Sequence, residues 1–248
     1  LSADLISHTV ASYVAQNRSF DFTTRVSCTG GECGYLNASS YVNASSISNS
    51  YSIHFTGFEA DTTDPWDGWI DGGNDAARST SYSYCTDSTC NNGGSASIEV
   101  QDNSAQSYTS QTFDLSSACS GDSCSSINIS FYVYPDSYDN SNEGFDVWCD
   151  YGTGDAYELA DWKDSGTAGR TICGTEAPEG TWTKITCDLS SYCTIDNSVE
   201  IRFTSQDSSS GGNGDQVYID GINITGYKTT YDFGLVSTNI GDNPFYTT

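Results

Sequence analysis

The sequence predicts an all-β chain folded as a sandwich or barrel. Three observations carry that expectation. From Tyr51 to Tyr227, short apolar runs alternate with polar residues at period two. Clusters of Gly, Asn, Asp and Ser separate the runs, and no helical stripe lies between them. The runs also number seven or more, which with polar turns means a sandwich or barrel.

In order, the strands are read at Ser52-Ile53-His54-Phe55, Ala96 to Val100, Ile127 to Val133, Phe145 to Cys149, Trp182 to Ile185, Val199 to Phe203, and Val217 through Ile224. Before them, residues 1–50 form an N-terminal arm. There Leu5, Ile6, Thr9, Val10, Tyr13 and Val14 make a helical stripe behind a Ser2 cap. The same stretch alternates as Ile6, His8, Val10, Ser12 and Val14, which reads as a strand. A Ser/Asn-rich run from Asn37 to Ser50 is extended or loop, and residues 228–248 are a polar C-terminal tail. The expected organisation is therefore an arm at 1–50, a β domain at 51–227 and a tail at 228–248.

Charge narrows the partners. The chain of 248 residues carries 33 acidic and 8 basic side chains, a formal charge of −25. A field of that sign repels phosphate backbones, so nucleic acid is excluded as a partner. Anionic membrane surfaces are disfavoured for the same reason. No apolar run approaches the roughly 18–20 residues of a membrane span, so direct insertion is not expected. Leu1 opens the chain with no basic or apolar leader before it, and the expectation is a mature secreted chain, extracellular or at the cell surface.

The ten Cys suit an oxidising compartment. Their spacing suggests stapled turns: Cys28–Cys33, Cys85–Cys90 and Cys119–Cys124 at C-x4-C, and Cys187–Cys193 at C-x5-C. That leaves Cys149–Cys173 to pair across a longer loop. Zinc does not suit these spacings, and there are only two His. N-x-S/T sequons at Asn17, Asn37, Asn43, Asn128 and Asn223 are glycosylation candidates in a secreted chain. Asn128 and Asn223 fall at outward positions of alternating strands.

The order of motifs resembles a MAM domain. Phe58-Glu59-Ala60-Asp61, then Asp67-Gly68-Trp69-Ile70-Asp71-Gly72-Gly73-Asn74-Asp75, resembles its opening. Gly93 to Ile98, Thr112 to Ser116, Ile127 to Val133, Gly180 to Lys184 and Gly214 to Ile222 follow in the family's order. The match spans about Phe55 to Gly226 and is similar to the MAM-like jelly rolls of bacterial secreted proteins, and more distantly to carbohydrate-binding jelly rolls. It implies a jelly-roll β-sandwich. It departs from the animal family in lacking Cys before the Phe-Glu pair and at the Gly-Trp turn, and in ending Asp220-Gly221.

The resemblance also implies a calcium ion held by Glu59 and Asp220, with Asp61 and Asp75 as companions. The stretch from Glu59 to Asp75 is rich in the oxygen donors that a hard cation needs. Nucleophile chemistry is thin: there is no G-x-S-x-G and no H-E-x-x-H, and His54 and His8 read as structural. Tyr132, Tyr134 and Trp148 alternate with apolar neighbours and are expected to share an outward face that sugars stack on. The functional expectation is a secreted, non-catalytic structural or adhesive protein. Its chains would associate with each other as homo-oligomers or polymers, as in a filament or matrix. The alternative is a glycan-binding module, and after that a secreted hydrolase.

Overall fold

A computed structural model describes residues 2–5, 12–15, 24–27, 36–73, 75–84, 94–101, 107–138, 143–154, 156–164, 169–206 and 215–242. The chain is all-β and forms two compact units, Leu1–Asn49 with Lys228–Thr248, and Ser50–Tyr227. In the first lie β1 (Ser2–Leu5), β2 (Ser12–Ala15) and β3 (Thr24–Ser27), and β4 (Leu36–Thr56) runs out of it. The second holds β5 (Ile70–Gly72), β6 (Ala76–Ser79), β7 (Ser97–Gln101), β8 (Tyr108–Phe113), β9 (Ser126–Asp136), β10 (Gly144–Cys149) and β11 (Tyr157–Lys163). It continues through the hairpin β12 (Thr171–Ile172) and β13 (Thr175–Glu176) to β14 (Thr183–Asp188), β15 (Val199–Gln206) and the start of β16 (Gln216–Asp242).

In the first unit β1 pairs antiparallel with β3, and β2 pairs with Thr230–Phe233 of β16. Of the helix and strand readings of this stretch, the described pieces, Ser2–Leu5 and Ser12–Ala15, are strands. A neighbouring strand satisfies the backbone groups that a helix would satisfy within itself. Ile6, His8, Thr9 and Val10 lie outside the described residues, as do the sequon at Asn17 and the pairs Cys28–Cys33 and Cys85–Cys90.

The second unit is a jelly-roll β-sandwich. One sheet has the order β11-β10-β15-β8-β5, and we call it the front sheet. The back sheet has the order β14-β9-β16-β7-β6. The chain passes repeatedly between them: β5 is front, β6 and β7 back, β8 front, β9 back, β10 front. Period-two alternation makes this possible. Along β9 every second residue from Ile127 to Val133 is buried, and the residues between are half-exposed. The inward side chains meet between the sheets, where Phe203 lies 5.5 Å from Trp69 and 4.9 Å from Phe131. Phe145 stacks on Trp162 at 5.4 Å, and the Trp162 indole N–H donates to the Ala177 carbonyl at 2.9 Å. Burying each such side chain contributes about 1.5–3 kcal/mol.

Two of the expected disulfides are corrected. Cys119–Cys124 forms as spacing suggested, but Cys149 pairs with Cys193 and Cys173 with Cys187. The expected Cys149–Cys173 and Cys187–Cys193 pairs are absent. Cys187 alternates with Ile185 and points into the core, where the turn after β12 brings Cys173. The next residues close a tight helical turn at Leu189–Ser191, with Cys193 N donating to the Leu189 carbonyl at 2.7 Å. That turn carries Cys193 to the end of β10, whose last residue is Cys149. Short spacing would have been decisive only if both cysteines had faced the same way.

Candidate functional site

The outer face of the front sheet is laid out by register. Glu158, Trp148, Arg202, Ser110 and Ile70 form one row across the five strands. Asp161, Asp146, Thr204, Tyr108 and Gly72 form the next. Gly72 is required there: a Cβ would stand 2.0 Å from the Tyr108 ring, which lies across the sheet edge at that point.

At the centre the Arg202 guanidinium is held between two rings, 3.6 Å from the centroid of Tyr108 and 4.3 Å from that of Tyr151. Trp148 meets Tyr151 edge to face at 5.2 Å. Tyr151 is placed by the turn after β10. Asp150 adopts φ 54°, Gly152 follows at φ 80°, and the Thr153 hydroxyl donates to the Asp150 carbonyl at 2.7 Å. The turn is pinned to β15, because Glu200 N donates to Asp150 Oδ1 and Asp150 N to the Glu200 carbonyl, both at 2.9 Å. Tyr151 nevertheless keeps 38% of its surface exposed.

Carboxylates border the rings. Glu200 Oε1 lies 3.4 Å from the Arg202 guanidinium, and Lys163 pairs with Asp161 at 3.1 Å. Asp146, Glu158 and Asp161 bring ligand atoms within 4.8 Å of one another. Asp146 sits beneath this face with 1% exposure. Burial, then repulsion from Glu158 and Asp161, pushes its carboxyl up to about 7. The Glu158 carboxyl is also raised, first by burial and then by Asp161. Arg202 Nε and the Thr204 hydroxyl are buried with no hydrogen-bond partner.

The three residues expected to share a sugar-stacking face are split. Trp148 is on the front sheet, whereas Tyr132 and Tyr134 are on the outer face of the back sheet, in β9. All three point outward, as alternation demanded, but alternation does not say which sheet a strand joins. Moreover, the back-sheet rings are already covered by the segment after β6. Tyr84 stacks on Tyr132 at 3.8 Å, and Tyr82 lies 5.2 Å from Tyr134 and 4.5 Å from Tyr218. Trp182 closes the group, 5.5 Å from Tyr134. Gly221, at φ 57°, lets the Tyr132 ring approach β16, since a Cβ there would stand 3.1 Å from it.

The residues implied for calcium are engaged by hydrogen bonds. Glu59 Oε1 accepts from the amides of Ser95 and Ala96 at 2.8 and 2.9 Å, and its Oε2 accepts from the Ser95 hydroxyl. Asp220 accepts from Gly221 N at 2.6 Å and Tyr84 N at 3.0 Å. Asp61 accepts from Asp67 N, and Asp75 from the Ser107 hydroxyl. Glu59 and Asp220 flank Gly57, and each of the four carboxylates accepts from the protein's own donors. His54 is structural in the same sense. It accepts from the Trp69 indole N–H at 3.3 Å, and burial lowers its pKa, partly offset by Asp67.

Tyr108, Tyr151 and Arg202 were not anticipated. Their signal in the sequence is Tyr151 in the turn following Trp148 and Arg202 at an outward position of Val199 to Phe203, yet only the cross-strand register makes them one site.

No family model matches the chain, and no curated protein matches it. Among solved structures, it is similar to the CBM22-1 xylan-binding domain of Paenibacillus barcinonensis Xyn10C at 16% identity and a TM-score of 0.42, over 70% of this chain and 92% of that one. It is also similar to a structure described as a promiscuous carbohydrate-binding module of the β-sandwich superfamily, at 10% identity and a TM-score of 0.43, over 86% of this chain and 85% of that one. A third is the carbohydrate esterase vb_24B_21 from bacteriophage phi24B, at 10% identity and a TM-score of 0.43, over 72% of this chain and 99% of that one. The MAM label finds no support in these.

Proposed function

We propose that this chain is an extracellular, non-catalytic glycan-binding module whose ligand lies across the outer face of the front sheet. One observation carries the reading: Arg202 clamped between Tyr108 and Tyr151, with Trp148 edge-on and carboxylates along the border. A sugar ring has an apolar C–H face and a rim of hydroxyls. Aromatic rings take the first, and the guanidinium and the carboxylates of Glu158, Asp161 and Glu200 take the second.

The ligand class is neutral. A chain at −25 repels polyanionic glycans, and the central cation already faces Glu200 at 3.4 Å. Asp146, whose carboxyl is pushed up to about 7, has 1% exposure and cannot reach a glycosidic oxygen, which fits binding without hydrolysis. This reading replaces the self-associating structural role expected from the sequence, which no feature of the described residues supports.

Affinity electrophoresis in gels containing neutral polysaccharides tests it. Trp148→Ala is expected to weaken retention about tenfold or more through the loss of roughly 1.5–3 kcal/mol of ring burial, and Arg202→Met by a similar factor through the loss of the guanidinium that binds the hydroxyls. Tyr84→Ala on the back sheet should leave it unchanged. Retention that survives Trp148→Ala and disappears with Tyr84→Ala would move the site to the other face.

A further inference from the structure

The outer face of the back sheet carries two sequons, Asn128-Ile129-Ser130 on β9 and Asn223-Ile224-Thr225 on β16, set directly against each other. Asn128 stands opposite Thr225, and Asn223 opposite Ser130. From these placements we propose that Asn128 and Asn223 are both N-glycan acceptors, and that their glycans shield the back sheet and leave the front sheet as the face open to ligand.

The argument is one of direction and room. In each sequon the middle isoleucine is fully buried in the core, which sends the asparagine and the hydroxyl residue outward together. An acceptor facing the other way would force a sugar between the sheets. Asn128, Ser130, Asn223 and Thr225 are all partly exposed. The next strand adds Asp188 opposite Asn128 and Thr186 opposite Ser130. The result is a row of short polar side chains running from β14 across β9 to β16. The Thr225 hydroxyl donates to Asn223 Oδ1 at 3.4 Å, so the acceptor amide and the hydroxyl that the sequon requires stand on the same side. The two asparagines are diagonal neighbours, about 7–8 Å apart by sheet geometry, far enough for two chains to rise side by side. The sequence alone cannot distinguish these two from the other three sequons.

The full chain, secreted from a cell with N-glycosylation machinery, is digested and its peptides weighed before and after enzymatic removal of N-glycans. Both peptides are expected to carry glycan. Ser130→Ala keeps both asparagines yet should lose only the Asn128 glycan, and Thr225→Ala should lose only that of Asn223, each with an unchanged thermal melt. A bare asparagine at either position in the secreted native chain would overturn the proposal, as would glycans that persist in the alanine variants. The readout is mass, so it stands or falls independently of sugar binding by the front sheet.

Discussion

Replacing Cys149 and Cys193 together by serine is expected to lower stability by about 4 kcal/mol, and the melting temperature by roughly 10 °C. The bond closes a loop with a sequence separation of 44, against 14 for Cys173–Cys187 and 5 for Cys119–Cys124. Loop entropy in the unfolded chain grows with that separation, so this bridge contributes most. It also joins the end of β10 in the front sheet to the turn after β14 in the back sheet, where both sulfurs are buried. Breaking it frees the two layers at one end. Non-reducing peptide mapping of the native chain checks the premise: peptides cross-linked as Cys149–Cys173 and Cys187–Cys193 would contradict it.

The second large effect is pH dependence through Asp146. Its carboxyl is raised from 3.8 to about 7 in the folded chain, so the folded state holds a proton that the unfolded state has released. The stability from that proton is complete below pH 4 and is lost as pH rises through about 7. Above that, the fold carries a buried carboxylate beside Glu158 and Asp161. The shift corresponds to a loss on the order of 4 kcal/mol between pH 4 and pH 8. Asp146→Asn removes the titrating group and keeps the shape. It should flatten the pH profile and raise the urea midpoint at pH 8 relative to the native chain. A native chain that becomes more stable from pH 5 to pH 8, or an Asn variant with an undiminished slope, would contradict the assignment.

Much of the fold was legible because period-two alternation is a local property. Ile127 to Val133 reads as a strand with one buried face, and that is what β9 is. Direction was legible for the same reason: Tyr132, Tyr134, Trp148, Asn128 and Asn223 all point outward. Sheet membership was not, because it depends on which distant strand supplies the ladder. Trp148 therefore parted from Tyr132 and Tyr134, and the two expected disulfides around Cys187 were exchanged. Arg202 illustrates the same limit. Nothing near it in sequence announces a ring on either side, since Tyr108 and Tyr151 reach it from another strand and another turn. At Ser12–Ala15 the strand reading holds, because β-branched and aromatic residues at helical spacing also serve a short strand once β16 is there to pair with it.

Calorimetric titration of the native chain with soluble neutral polysaccharides tests the central claim most directly. The front-sheet account predicts saturable binding in the micromolar to millimolar range that corresponds to roughly −8 to −4 kcal/mol. It should persist at high salt, because the contacts are stacking and hydroxyl hydrogen bonds rather than long-range charge. It should disappear in Trp148→Ala and remain in Tyr84→Ala. The absence of heat with every neutral glycan tried, or undiminished binding in Trp148→Ala, would contradict it.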